Sequence, residues 1–498
     1  MKKYGMLILA VCCITQCLAQ CILTGKINGA AGKETELNIS RDVWYQKDNS
    51  VFSEVKPDGS FSFTVPGTDP LFVTLHYNKQ KQQLLLSPGR HLHVTFDDAD
   101  LPGTIQFSGK GAAENMLVHA SFPQQRPFFM NPFSAENAYG KMGRDSLMNI
   151  LLPDILDTAN HLSLNVTKAK LPAVVKASLH TQIKYYYALN MEEFSIVLDN
   201  YTRNPAAQAW KDTVMKLTGM PSMTELYRSP AANYFLYAYA KYKMMEIGQV
   251  YRKDKAQGAK MLAAAAGLPF DSLMSMAEEY GDEIITLLSA KKFLPPAQHE
   301  RLLANRVIYY SNEKETTMAR RVMTELTKHF AGSKEEKDAS QRMAKLESML
   351  ATGKENDKIV IHTGITTLEQ LLAPYKGKLV YLDIWGTWCS PCKAEMRYAP
   401  KLKEQMKGKD VVFLYLSNDK DLADKKWREY IQVNNITGEH VRITGAAIET
   451  IWQTLLPGEE NRYYPTFFIF DREGKVLIKK AKRPSDEEAL YTQLLGAL

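Results

Sequence analysis

The sequence predicts a multidomain chain: an N-terminal antiparallel β-sandwich, a middle α-helical region and a C-terminal α/β domain. Three observations predict it. A length of 498 residues exceeds what a single hydrophobic core fills. The hydrophobic period changes from two to helical spacing near Gly111. Beyond a charged break at 352–358, apolar strand-like runs alternate with helix-like ones. The expected segments are a leader over 1–19, the sandwich over 20–110, the helical region over 111–351 and the α/β domain over 352–498.

The leader reads as a secretory signal. Lys2 and Lys3 precede a short apolar run over 6–14, and Cys17-Leu18-Ala19 is a small-residue cleavage site. The run is too short to span a bilayer, and no later stretch reaches the ~20 apolar residues a membrane helix needs. The mature chain is therefore expected to begin at Gln20, as a soluble periplasmic protein. Leu18-Ala19-Gln20-Cys21 also resembles a lipoprotein cleavage box, but Gln20 stands where that box takes a small residue. Lipid anchoring at Cys21 is the alternative. Of six cysteines, three leave with the leader, so Cys389 and Cys392 form the one adjacent pair of an exported chain. A net charge of +7 without a basic, aromatic-interleaved cluster argues against nucleic acid as a partner.

Over 20–110, polar and apolar residues alternate at 60–65 and 91–96, as in half-buried strands. Pro57-Asp58-Gly59 is a hairpin turn signal. Further strands are expected at 22–27, 35–39, 71–76 and 104–107. His91 and His93 share one strand face and could hold a metal, although two solvated polar positions is the reading preferred. Over 111–351 the period is helical, as at Met318, Val322, Met323, Leu326 and Phe330. Tyr185, Tyr186 and Tyr187, with Tyr234, Phe235, Tyr237, Tyr239 and Tyr242, are expected to pack helices rather than line a groove. A last helix is expected over 339–350, between charged breaks at 332–338 and 352–358.

In the C-terminal segment strands are expected at 378–385, 411–417, 466–470 and 476–480, with helices at 389–406, 422–433, 446–455 and 486–495. Trp385-Gly386-Thr387-Trp388-Cys389-Ser390-Pro391-Cys392 runs from the first strand into the first helix. That order sets Cys389 at a helix N-terminus, where free backbone N–H groups and the helix dipole favour a thiolate. Cys-x-x-Cys is either a redox dithiol or half of a zinc site. Zinc takes two further Cys or His ligands at matching spacing, and no second Cys-x-x-Cys or His-x-x-x-His occurs. The redox reading follows, with no metal and no cofactor.

This segment, from about Ile359 onward, resembles the thioredoxin superfamily, and within it the TlpA/ResA-like exported thiol–disulfide oxidoreductases. The residues that carry the likeness are Trp385 to Cys392, Glu395, and Tyr464-Pro465-Thr466 before a strand. The resemblance implies a thioredoxin-like fold, Cys389 as nucleophile, Cys392 as resolving thiol and a Cys389–Cys392 redox disulfide. It implies that Pro465 is a cis-proline beside the disulfide, with Tyr464 free to pair through its backbone with a substrate strand. Trp388, Pro391, Tyr464, Pro465 and Thr466 are then the expected substrate-contacting residues. Asp383 matches the buried acid of ordinary thioredoxins and Glu395 the acid of the ResA-like branch; both are expected to move the proton of Cys392. Where the family carries a helix-kinking proline, five residues past the second cysteine, this chain has Arg397; Pro400 would displace the kink. The sandwich also resembles the small β domain found ahead of TlpA-like domains in envelope proteins of diderm bacteria, on Gly25-Lys26-Ile27 and Pro57-Asp58-Gly59-Ser60-Phe61.

The expected function is reduction of protein disulfides in the cell envelope, with re-reduction by a membrane-linked electron donor. The rival enzyme is a peroxiredoxin-like peroxidase, whose site needs Thr or Ser where Gly386 stands. The rival outside enzymes is an envelope binding protein that uses the fold as a module.

Overall fold

The computed structural model describes residues 20–29, 34–40, 49–122, 125–352, 356–459 and 462–498. The leader expected over 1–19 lies outside them. The chain divides into two compact units between Tyr239 and Ala240. That point falls inside one long helix, Pro230–Lys253, so the helical stretch expected over 111–351 contributes to both units.

The first unit begins with eight strands: β1 (Gln20–Asn28), β2 (Glu34–Asn38), β3 (Ser50–Glu54), β4 (Ser60–Pro66), β5 (Leu71–Tyr77), β6 (Gln80–Leu86), β7 (Leu92–Asp97) and β8 (Gln106–Gly109). They form two sheets, ordered β4-β1-β7-β8 and β3-β2-β5-β6. The expectation of a purely antiparallel sandwich needs one correction: β1 and β7 pair in parallel, Leu23 opposite Leu92. The chain crosses to the second sheet for the β5–β6 hairpin and returns beside β1 running in the same direction. Alternation does what the pattern predicts, burying Phe61, Phe63 and Val65 from β4 and Leu92, Val94 and Phe96 from β7 against Leu23, Leu37 and Leu75. The Pro57-Asp58-Gly59 turn is present. The Asp58 carboxylate accepts from the backbone N–H and hydroxyl of Ser60, at 3.0 and 2.7 Å. Gly59 has φ +82, and a Cβ there would lie 2.3 Å from the Ile27 carbonyl oxygen, so glycine is required. β6 was not foreseen, because its first half, Gln80-Lys81-Gln82-Gln83, carries no apolar signal. The strand expected at 104–107 starts later, since Asp100 caps a short Leu101–Thr104 helix through the Gly103 N–H at 2.9 Å.

Helices Ala112–Ser121, Leu152–Lys168, Ala173–Ile196 and Ala207–Thr218 complete the first unit with the start of Pro230–Lys253. Tyr185 and Phe235 are core residues in contact, ring centroids 5.4 Å apart. Tyr186 and Tyr234 instead help line an open cleft of about 570 Å³, together with Phe72, Phe122, Arg126 and Glu193. Some of the aromatic density therefore does face a groove.

The second unit contains the helices Phe270–Tyr280, Glu283–Ser289, Pro296–Asn312, Thr316–Phe330 and Lys334–Thr352. The charged stretch expected as a break at 332–338 is mostly the first turn of the last helix. Ser333 Oγ accepts from the Glu336 N–H at 3.1 Å, and Glu335 and Glu336 meet the positive end of the helix dipole.

The α/β domain follows with β9 (Ile359–His362), β10 (Leu379–Trp385), β11 (Val411–Ser417), β12 (Gly438–Arg442), β13 (Thr466–Phe470) and β14 (Val476–Lys479). Sheet order is β14-β13-β10-β11-β12-β9; the pairings among β9, β10, β11 and β12 are parallel, and those made by β13 are antiparallel. Every residue of β10 is buried, as in a central strand covered on both faces. One face carries Val380, Leu382 and Ile384 against the Gly445–Leu455 helix. The other carries Leu379 and Tyr381 against the helices Ala399–Gln405 and Glu488–Ala497. Asp383 and Trp385 share that second parity. β12 escaped the sequence reading, since Gly438-Glu439-His440-Val441-Arg442 offers one large apolar residue, and β9, although apolar, is only four residues long.

Candidate active site

The chain leaves the C-terminal end of β10 at Trp385 and turns through Gly386-Thr387-Trp388 into the helix Ser390–Met396. Asp419, buried after the neighbouring strand β11, pins this turn. Its carboxylate accepts from the Thr387 N–H at 2.9 Å, the Thr387 hydroxyl at 2.5 Å and the Ser417 hydroxyl at 2.5 Å. Sequence reasoning missed Asp419; the signal was a polar Ser417-Asn418-Asp419 run where a parallel strand ends beside the motif.

Cys389 is the N-cap residue, and Cys389 and Cys392 are joined by a disulfide, their Cα atoms 5.3 Å apart. Cys389 Sγ accepts from the Cys392 N–H at 3.2 Å. Cys389 is 4% exposed and Cys392 0%. Pro391 lies in the first turn, where a missing N–H costs nothing. The pair packs in one cluster with Trp385, Tyr415, Trp427 and Tyr430.

The single helix expected over 389–406 is two helices, Ser390–Met396 and Ala399–Gln405. Pro400 has no N–H to give the Met396 carbonyl and its ring would clash there, so the helix breaks at Arg397-Tyr398. Tight bonds close the first piece, Arg397 N–H to Ala394 O at 3.3 Å and Tyr398 N–H to Glu395 O at 3.0 Å.

Both sequence-derived acids are buried. Asp383 lies on the face of β10 shared with Leu379 and Tyr381, and its Oδ1 has no hydrogen-bond partner. Burial, and after it the nearby Glu395 charge, push its carboxyl well above the usual range, while Lys403 pulls the other way. Glu395 is held differently: Oε2 accepts from the Ser485 N–H at 2.9 Å and Oε1 from the Ser485 hydroxyl at 3.0 Å. Lys403 was not anticipated. Burial lowers its ammonium to about 8, and it donates to Thr437 Oγ1 at 3.2 Å.

The aromatic residues form a surface at the mouth of the pair. Trp388 is 51% exposed and meets Tyr464 edge-on at 4.9 Å. Asn418 links them, its carbonyl accepting from Trp388 Nε1 at 3.3 Å and its amide donating to the Tyr464 hydroxyl at 2.8 Å. The Tyr464–Pro465 peptide is cis. Thr466 begins β13, its hydroxyl on the Tyr463 carbonyl at 2.6 Å. The structure thus brings Trp388, Tyr464 and the cysteines together on one cluster.

His91 and His93 lie elsewhere, in the first unit, each with a ring nitrogen 2.9 Å from the Thr24 hydroxyl. Among the described residues no group of three or more His, Cys, Asp or Glu could hold a metal ion.

A six-stranded sheet covered by helices on both faces, with a vicinal cysteine pair where its central strand meets a helix, defines a thioredoxin-like protein. The family model described as thioredoxin-like matches residues 377–476. The thiol-disulfide oxidoreductase ResA of Bacillus thuringiensis subsp. konkukian is 33% identical over 153 residues, which covers 30% of this chain and 79% of the relative. The ResA of Geobacillus thermodenitrificans is 29% identical over 110 residues, covering 22% of this chain and 57% of that one. Among solved structures, the thioredoxin domain of a thiol-disulfide oxidoreductase from Bacteroides vulgatus matches at 23% identity and TM-score 0.22, over 25% of this chain and 82% of that one. The chain belongs to the ResA-type thiol–disulfide oxidoreductases of the thioredoxin-like family, and that is its activity.

Proposed function

We propose that this enzyme is exported and reduces protein disulfides in the cell envelope, Cys389 attacking and Cys392 resolving. The observation that carries the assignment of roles is the asymmetry of the pair: Cys389 caps the helix beside exposed Trp388, whereas Cys392 is closed off completely. In the reduced enzyme the Cys389 thiolate attacks one sulfur of a substrate disulfide, forming a mixed disulfide and releasing the other sulfur as a thiolate. Cys392 then loses its proton to a carboxylate and attacks Cys389 Sγ. The second substrate thiolate leaves, two electrons have passed to the substrate, and the enzyme holds the Cys389–Cys392 disulfide.

Asp383 and Glu395 are the proton acceptors in this scheme. Asp383 is favoured by its raised carboxyl and unpartnered oxygen, Glu395 being already occupied by Ser485. Trp388, Pro391, Tyr464, Pro465 and Thr466 form the substrate face. The oxidised pair is returned to dithiol by a membrane-linked electron donor. Leader cleavage leaves Gln20 first and Cys21 without lipid. Support for this is the full burial of Cys21 in β1 opposite Val65, where a thioether-linked diacylglycerol has no room. No helix among the described residues is long and apolar enough to cross a membrane.

The test is trapping with Cys392→Ala in cells. Substrate proteins should accumulate in mixed disulfides on Cys389, released by dithiothreitol. If no adducts form, or if Cys389→Ala traps them instead, the roles are wrong.

A further inference from the structure

The residue after Cys392 on the redox helix is a lysine whose side chain is only 12% exposed. Lys393 Nζ lies 2.5 Å from Glu315 Oε1. Glu315 is 7% exposed and stands at the start of the Thr316–Phe330 helix, outside the thioredoxin-like domain but within the same unit. Its other oxygen, Oε2, is 4.0 Å from Lys426 Nζ, which also donates to the Tyr280 carbonyl at 3.1 Å. One buried carboxylate therefore sits between two ammoniums, a buried one on Lys426 and a largely covered one on Lys393 of the redox helix.

The charges around this cluster are mostly accounted for. Arg306 pairs with Glu283 at 2.7 Å, Arg397 with Glu313 at 3.0 Å, and Asp419 is bonded to Thr387 and Ser417. Burial opposes ionisation of Glu315, but Lys393 and Lys426 outweigh it and hold the carboxyl below its usual range. A buried ion cluster of this kind is a poor way to fasten two elements, because desolvation cancels most of the Coulomb gain. Other contacts already join the layers: Arg320 to Glu429 at 2.8 Å and Thr317 to Glu429 at 2.8 Å. Holding the layers together does not account for Glu315.

We propose that Glu315 is a positioning residue for the redox pair: by neutralising Lys393 it keeps positive charge off the Cys389 thiolate and so keeps the dithiol strongly reducing. A cation beside a thiolate stabilises the reduced form and makes a pair more oxidising. The helical layer, through this one carboxylate, sets how readily the enzyme gives up electrons. The proposal rests on the pair acting as a dithiol–disulfide couple.

The full chain is equilibrated with glutathione, dithiol plus oxidised glutathione exchanging with disulfide plus two reduced glutathiones, and alkylation of Cys389 is followed against pH. Glu315→Gln should shift the equilibrium about tenfold toward the dithiol, about 30 mV for a two-electron couple, and lower the alkylation midpoint. Lys393→Gln should move both readouts the opposite way. In the double variant the effect of Glu315→Gln should largely disappear. Arg320→Met removes a neighbouring ion pair and should leave both readouts unchanged. Shifts of the same sign in Glu315→Gln and Lys393→Gln, or a shift in Arg320→Met as large as theirs, would overturn the proposal. A wild-type pair that exchanges with no disulfide at all would instead refute the dithiol reading beneath it.

Discussion

Replacing Asp383 by asparagine should make the protein more stable while making it a worse enzyme, and the gain should depend on pH. An unfolded aspartate titrates at about 3.9. In the folded chain burial and Glu395 raise this carboxyl well above that. Between the two pKa values the unfolded chain has released a proton that the folded chain still holds. The native state therefore loses about 1.4 kcal/mol for each pH unit climbed through that window. An asparagine side chain has nothing to ionise. Wild type and Asp383→Asn should match near pH 4, and the variant should then gain about 1.4 kcal/mol per pH unit until the wild-type carboxyl ionises in the fold. Urea unfolding of the oxidised protein at a series of pH values measures this by fluorescence. Four of the six tryptophans, Trp385, Trp388, Trp427 and Trp452, lie in the C-terminal domain, so the signal is weighted toward the right region. The same variant should resolve mixed disulfides more slowly than wild type, and more slowly than Glu395→Gln. A stability difference that stays constant from pH 4 to pH 8 would refute the reasoning and remove the basis for Asp383 as proton acceptor.

Three further outcomes are expected. A Cβ on Gly386 would lie 2.5 Å from Trp388 Nε1, so Gly386→Ala should push the indole off the Asn418 carbonyl. It should raise KM for protein disulfides about fivefold, the worth of about 1 kcal/mol of contact, with little change in kcat; an unchanged KM counts against Trp388 as a substrate contact. Lys403 titrates near 8 in the fold and at about 10.4 unfolded, so its burial costs stability below pH 8, a cost that fades as pH rises toward the unfolded value. Lys403→Met should gain up to about 3 kcal/mol at pH 7, less what its bonds to Thr437 contribute, and lose that gain by pH 10.5 in the same urea titration. The mature protein should have the mass of an unmodified chain from Gln20; a diacylglyceryl increment would refute the reading of Cys21 as a buried core thiol.

The cysteine motif was legible because its chemistry is local: strand, turn, cap residue and helix follow one another in eight residues. Alternating strands such as 60–65 and 91–96 were legible for the same reason. What could not be read depends on tertiary neighbours. β12 is short and polar along its own length, and becomes a strand only because β11 and β9 flank it. Lys393, Lys403 and Glu315 look like solvated charges in sequence, and only packing shows Glu315 buried and the two lysines partly covered. The parallel β1–β7 pairing depends on a sheet crossing that no periodicity encodes. The displaced helix break, in contrast, was visible in Pro400 itself.

The position of β1 has a consequence for how the chain assembles. Although it comes first among the described residues, β1 lies inside its sheet, Leu23 paired with Phe63 on one side and with Leu92 on the other. Both partners are distant along the chain, so loop closure must precede any reward from pairing. In a polypeptide delivered N-terminus first, this strand arrives before anything it can pair with. Until β7 appears it is an open, partly apolar edge, the kind of segment that invites intermolecular pairing. The sandwich thus completes only once residues through Asp97 are available. A holding chaperone for this protein would therefore find an early binding site at a strand that ends up flanked on both sides within its sheet.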